Sequence, residues 1–266
     1  MRIQVINLRR RPDRRDFMEG QAKRLGLSFD YLDAVDAKNT DMAAHRRQAS
    51  AGPLGHLSDG DLCCFLSHRK AWQNIHDGTD PFGVILEDDA VLSDDAAAFL
   101  QNNSWIPKGQ TCIKLERHGN NRHRVVFKRS DFSVQGRKLT RFLSKHCGSC
   151  AYILSREAAG HLIDATQTIN LSIDHFLFNP NNSPIFKRLH PSQILPAIAE
   201  QGGDVAASDI HGMRLTQRTY TLAYWQREAI RGLYEIRHIP KFILLAMRGR
   251  VKLEKVIFDP SGTRAA

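Results

Sequence analysis

Phe82-Gly83-Val84-Ile85-Leu86-Glu87-Asp88-Asp89 is an apolar run of strand length that ends in three consecutive carboxylates. A continuous apolar strand suits a sheet covered on both faces, and in open α/β sheets ligands bind in the crevice beyond the strand ends. Three crowded negative charges repel one another unless a cation lies among them. Hard divalent ions such as Mg²⁺ or Mn²⁺ take oxygen ligands of this kind. The triplet therefore points to a metal ion holding an anionic substrate. A plainer reading stands beside it, because Ser93-Asp94-Asp95 follows closely and acids suit the N-terminus of a helix.

The 266 residues can bury a substantial core, as one large domain or as one domain with an appendage. Hydrophobic residues at 42% and charged residues at 25% are ordinary for a globular protein and exclude a disordered chain. No apolar segment follows Met1-Arg2, and no uninterrupted apolar stretch reaches about 18 residues, so a protein made and kept in the cytoplasm is expected. The five cysteines are an odd number and read as thiols in a reducing compartment. Cys147-Gly148-Ser149-Cys150 has redox or half-zinc-site spacing but no second such pair. The net charge of +10 is unevenly placed: residues 214–255 hold ten Lys or Arg against Glu228, Glu235 and Glu254.

Outward from the acidic run, strand and helix patterns alternate. Ile3-Gln4-Val5-Ile6-Asn7-Leu8 reads as a first strand, and Pro12-Asp13 opens a helix with an apolar side of Met18, Ala22 and Leu25, closed by Gly26. Phe29 to Val35 is a second extended segment. Residues 37–57 carry few apolar anchors and contain Gly52-Pro53 and Gly55, so they read as a loop. Ser58 caps a helix whose stripe is Leu62, Phe65, Leu66, Trp72 and Ile75. A short helix from Ser93, a strand at Thr111 to Leu115 and a β-rich excursion around Arg124 to Lys128 follow. Cys150 to Leu154 is another buried strand, and Ser155 caps a helix with Ala158, Leu162 and Ile163. The alternation predicts an α/β fold with a mostly parallel sheet covered on both faces. The first strand is followed by neither a glycine-rich phosphate loop nor a dinucleotide fingerprint, so a nucleotide here must be held by other means.

In order along the chain, these segments resemble glycosyltransferase family 25, the bacterial lipooligosaccharide galactosyltransferases. The matching residues are Val5-Ile6-Asn7-Leu8 with Arg11, Arg14 and Arg15, then Ala34-Val35-Asp36, then Gly60 to His68. Leu86-Glu87-Asp88-Asp89 looks like the family's acidic metal motif, and Ile113-Lys114-Leu115, Tyr152 to Ser155 and Ile173-Asp174 match later segments. Ala37, Asp61 and Cys150 depart from the common pattern, which leaves acceptor and linkage open.

The resemblance implies a GT-A-like, Rossmann-type fold over residues 1–215. It also implies a nucleotide-sugar donor, most often UDP-galactose, and Mn²⁺ or Mg²⁺ on its diphosphate. Side chains alternate along an extended segment, so Glu87 and Asp89 point one way and Asp88 the other. Asp89 is then the direct metal ligand, Glu87 touches metal or ribose, and Asp88 orients the site. Asp174 is the candidate base for an inverting transfer, with a helix cap or a partner for an arginine as the plainer role. His68 is either a satisfied structural histidine or, with Ser67, part of the donor site. Asn7, Arg11 and Asp36 lie at the ends of the first two strands, where the crevice rule puts the nucleotide. Lys114 and Glu116 are weaker candidates for donor-sugar contacts.

Residues 216–266 read as a basic, amphipathic, helical segment. Ile230, Leu233 and Tyr234 form one stripe, and Phe242 to Met247 are flanked by Arg237, Lys241, Arg248 and Arg250. This pattern fits an anionic membrane on the inner face of the cytoplasmic membrane, where a lipid-linked oligosaccharide acceptor is found, or a helix packed on the catalytic domain. Two rival functions remain: a metal-dependent phosphoesterase, which needs further His or Asp ligands that are not evident, and a basic nucleic-acid-binding protein. No nucleic-acid motif is present, and the tail interleaves aliphatic rather than stacking aromatic residues, so no nucleic acid is expected.

Overall fold

A computed structural model describes residues 1–118, 124–129, 132–202, 229, 232–233, 236–237 and 239–262. The proposed boundary at residues 215 and 216, with Ile230 and Tyr234, lies outside the described residues. The chain opens with β1 (Arg2–Asn7), α1 (Pro12–Leu25) and β2 (Asp30–Asp33), then α2 (Met42–Arg46), α3 (Asp59–Asp77) and the acid-tipped β3 (Phe82–Glu87). Next come β4 (Ala90–Leu92), α4 (Ala96–Leu100), β5 (Cys112–Lys114) and β6 (Glu116–Arg117). The excursion is β7 (Arg124–Lys128), β8 (Ser133–Val134) and β9 (Arg137–Arg141). β10 (Ala151–Ser155) leads into α5 (Arg156–Asp164), α6 (Ile173–Phe178), α7 (Phe186–Leu189), β11 (Ser192–Leu195) and β12 (Ala199–Gln201). α8 (Ile239–Met247) and β13 (Val251–Lys255) close the described chain.

Local signals set these boundaries. Pro12 sits in the first turn of α1, and Gly26 ends it at φ 62°, a left-handed conformation that glycine adopts without penalty. Ser58 Oγ accepts the Asp61 amide at 3.1 Å, and Ser155 Oγ accepts the Ala158 amide at 3.1 Å, so both expected caps form. Within residues 37–57 the structure adds α2, capped by Asp41 and anchored by a single buried side chain, Met42.

Eight strands form one sheet in the order β2-β1-β3-β10-β5-β11-β9-β8. β1 is parallel to β2 and β3, and β5 to β11, whereas β10 runs antiparallel to both β3 and β5. β9 is antiparallel to β11 and to β8, the latter through a two-residue turn in which Gln135 and Gly136 both have positive φ. The expectation of a mostly parallel sheet is therefore corrected to a mixed sheet with three parallel and four antiparallel pairings. The cause is β10, inserted in reverse between β3 and β5. Its apolar sequence encodes burial on two faces, which is the same for either strand direction.

Alternate residues feed two cores. Ile85, Tyr152 and Leu154 face α3 and α5 with Phe65, Trp72 and Leu162, while Val84, Leu86 and Ile153 face Met18 and Phe99 on the other side. β3 is thus clamped on both faces, which fixes where its acidic tip emerges. A three-stranded sheet, β4-β12-β6, continues past that tip, and β13 pairs with β7. Residues 251–262 are therefore not helical as expected but stitched into the body: Ala197 donates to the Ile257 carbonyl at 2.7 Å and Asp94 to that of Pro260 at 2.9 Å.

Candidate active site

The β3 tip forms part of the wall of a cavity that is also lined by Arg10, Arg14, Asp36, Ser67, His68 and Gln201. The three carboxylates have three distinct environments. Asp88 turns toward α1 and accepts from Asn7 Nδ2 at 2.8 Å and Arg14 Nη1 at 2.7 Å, with both ion-pair partners buried. These bonds fix the Asp88 carboxylate against α1 while it still borders the same cavity as Glu87 and Asp89. Glu87 accepts from Ser149 Oγ at 2.7 Å and from His68 Nε2 at 3.2 Å. Burial pushes its pKa up, but the hydrogen bonds and charge of His68 with the Ser149 hydroxyl outweigh this, and the net shift is downward.

Asp89 is the unsatisfied member. Its Oδ2 accepts from Gln201 Nε2 at 3.0 Å, and Arg14 Nη1 stands 4.0 Å away. Its buried Oδ1 has no hydrogen-bond partner. Burial first, then the neighbouring Glu87 charge, raise the Asp89 pKa to about 7. A buried carboxylate oxygen without a donor, beside a second carboxylate, is the environment a divalent cation would satisfy. The residues present therefore fit such an ion.

A buried chain of donors holds Glu87 from behind. Indole Trp72 Nε1 can only donate, and it does so to Tyr152 Oη at 2.8 Å. Tyr152 Oη in turn lies 2.8 Å from His68 Nδ1, and Nε2 of the same ring lies 3.2 Å from Glu87. Burial holds the Tyr152 hydroxyl well above its usual pKa, so it stays protonated. His68 is thus both a satisfied histidine and a residue on the cavity wall. Ser67 donates to the Cys63 carbonyl at 2.7 Å and accepts the Val35 amide at 2.8 Å, pinning the segment after β2 to α3.

The remaining sequence candidates divide between the cavity wall and its surroundings. Asp36 lines the cavity and accepts from Arg10 Nε at 2.9 Å. Arg11 does not line it; it pairs with Asp13 at 2.7 Å, and Arg10 and Arg14 supply the cavity's guanidinium groups instead. The cause is the tight turn into α1, which turns successive arginines to different sides. Asn7 sits behind the wall, holding Asp88 and the Arg11 carbonyl. Lys114 is fully buried, and its three protons go to Glu116 at 2.7 Å and the carbonyls of Cys147 and Gly148, with the Phe178 ring at 4.5 Å. No proton remains for a sugar, so Lys114 is corrected from donor contact to anchor of the 147–150 loop, which presents Ser149 to Glu87. Asp174, at the start of α6, accepts from Ser172 Oγ at 2.6 Å and the His175 amide at 2.8 Å, and its charge reaches Glu87.

Several contributors escaped sequence reasoning. Arg14 stood in the matched segment without a role. Tyr152 and Trp72 read only as core, and Gln201 reaches Asp89 across 112 residues with no local signal. All five cysteines are free thiols; burial raises Cys147 and Cys150, so neither is an activated thiolate.

The family model described as glycosyltransferase family 25 (LPS biosynthesis protein) matches residues 1–177. The lipooligosaccharide biosynthesis protein lic2B of Haemophilus influenzae is 26% identical over 265 residues, covering 95% of this chain and 97% of its own. The lacto-N-neotetraose biosynthesis glycosyltransferase LgtE of Neisseria gonorrhoeae is 26% identical over 217 residues, covering 76% and 74%. Among solved structures, a glycosyltransferase involved in glycosylation of the major capsid of PBCV-1 aligns over 82% of this chain and 100% of its own at 9% identity, with a TM-score of 0.36, a likeness too slight to bear on the fold. With the family match spanning the whole acid-tipped half of the sheet, the chain belongs to glycosyltransferase family 25.

Proposed function

We propose that this glycosyltransferase is a GT-A-like, inverting, metal-dependent galactosyltransferase. It would move galactose from UDP-galactose onto a lipid-linked oligosaccharide of lipopolysaccharide or lipooligosaccharide, at the inner face of the cytoplasmic membrane. The observation that carries the reading is Asp89 Oδ1, buried and without a hydrogen-bond donor beside Glu87, in a cavity that also holds Arg10 and Arg14. The family and its relatives support transfer of a sugar in LPS assembly.

Asp89 and Glu87 would hold Mn²⁺ or Mg²⁺, which when bound offsets the negative charge that builds on the departing nucleoside diphosphate. Asp88, locked by Arg14 and Asn7, keeps the pair aimed at the cavity. Arg10 and Arg14 add fixed positive charge for the phosphates. Asp174 serves as the base: it takes the acceptor hydroxyl's proton as that oxygen attacks the anomeric carbon from the face opposite the nucleotide, which inverts the centre. Its Oδ1 accepts hydrogen bonds from the Ser172 hydroxyl and the His175 amide, which fix the carboxylate at the start of α6.

Radiolabelled transfer from UDP-galactose to a lipooligosaccharide acceptor, with and without Mn²⁺, tests this. Asp89→Ala should lose transfer at least about a hundredfold while remaining folded, and Asp174→Asn should keep donor binding but lose rate. Undiminished transfer by Asp89→Ala would remove the proposed metal site. Release of phosphate without acceptor would favour a phosphoesterase.

A further inference from the structure

A second cleft, away from the carboxylates, is lined among others by Lys128, Arg129, Phe132, Arg141, His190 and Ser192, with no Asp or Glu among the described residues of its wall. Arg141 pairs in register with Ser192, the first residue of β11, whereas the acids lie at the last residue of β3 and beyond. β11 runs parallel to β5, and β5 and β3 are both antiparallel to β10, so β11 and β3 run in one direction. The two sites therefore occupy opposite strand ends of the sheet. In this cleft Arg141 Nε is buried and has no hydrogen-bond partner. Three cations with no acidic counter-charge among the described lining residues, one with an orphaned N–H, call for an anion's oxygens.

The cleft runs into an apolar surface. Arg129 donates its amide to the Arg250 carbonyl at 2.9 Å, and a side chain added at Gly249 would come within 4.0 Å of Arg129 Nη1, so this guanidinium lies against the turn that ends α8. No residue of α8 is buried: Ile239, Ile243, Leu244 and Met247 are 46–78% exposed, and Lys241, Arg248 and Arg250 border them. Phe132, in the cleft wall, is 46% exposed. A nucleic acid would answer the charges and leave the aliphatic groups in water. A bilayer interface answers both, with acyl chains over the apolar side chains and anionic phosphates on the cations.

We propose that Lys128, Arg129, Arg141 and His190 form a headgroup site for an anionic phospholipid, and that α8 lies in the membrane interface beside it. The proposal deepens the reading of a transferase that meets a lipid-linked acceptor and rests on that reading for its purpose, but the binding itself requires no transfer chemistry.

The test is co-sedimentation of the full-length protein with vesicles of phosphatidylcholine alone or mixed with phosphatidylglycerol, at low and high salt. Binding should be confined to the phosphatidylglycerol vesicles and weaken with salt. Arg129→Gln/Arg141→Gln should weaken it by about fivefold for each cation removed, and Ile243→Ser/Met247→Ser should weaken it further. Melting temperature reports folding, and if the Arg141 variant fails to fold, Lys128→Gln/Arg129→Gln carries the same expectation. Equal binding to neutral vesicles would overturn the site, as would unchanged binding in the arginine variants or equally tight binding of a single-stranded oligonucleotide. Stabilisation by inorganic phosphate without vesicle binding would identify a free-anion site instead. UDP-dependent stabilisation is read separately, so failure of the lipid site and failure of the transferase reading remain distinguishable.

Discussion

Asp89 gives the site a measurable pH signature. Its folded pKa, about 7, lies above the ordinary 3.8, so the folded protein binds the proton more tightly than the unfolded chain does. Stability is therefore greatest below the unfolded value and falls as pH rises from about 4 to 7. Asp89→Asn, which carries no charge, should raise the stability of the metal-free protein at pH 8 by roughly 1–3 kcal/mol and leave it little changed at pH 4. Chemical denaturation at the two values measures this, and a variant less stable at pH 8 would contradict it. Because a cation must displace that proton, Mn²⁺ should stabilise the wild type more at pH 8 than at pH 6. The acids were legible as a cluster from their spacing alone. Their hydrogen-bond partners were not, because Ser149, Arg14 and Gln201 come from three separate parts of the chain.

At the scale of elements, β5 and the loop before β10 are joined through Lys114 and Glu116, both fully buried. Glu116 also accepts the Cys150 amide at 2.9 Å, so one ion pair anchors the loop that carries Ser149. Removing one partner leaves a buried charge, and Lys114→Met should cost about 3–5 kcal/mol. Lys114→Met/Glu116→Gln should recover part of that loss in equilibrium denaturation, and no recovery would argue against the pair as the source. Helix ends were readable because their signals are local, as with Ser58, Ser155 and Gly26. The direction of β10 was not, since strand polarity is settled by distant pairing. α2 was hidden because Met42 is its one buried anchor in a polar stretch.

Across the whole molecule, residues 251–262 are part of the folded body. β13 pairs along its length with β7, Val251 and Val256 are buried, and buried Arg137 bonds Asp95 while reaching the carbonyl of Asp259. Deleting residues 251–266 should therefore cost roughly 2–4 kcal/mol and lower the single unfolding transition, whereas an independent appendage would leave it unchanged. The excess of basic residues near the C-terminus was plain from composition, but the placing of its described part on an exposed helix and a paired strand was not. An amphipathic pattern does not say whether another element covers its apolar side.

The proposed transfer requires a divalent cation gripped at the tip of β3 together with a nucleoside diphosphate. Crystals soaked in UDP and Mn²⁺, measured at a wavelength where manganese scatters anomalously, address it directly. The predicted result is an anomalous peak within bonding distance of Asp89 and Glu87, with the diphosphate bound to it and facing Arg10 and Arg14. Ordered UDP elsewhere, with no peak at those carboxylates, would contradict it.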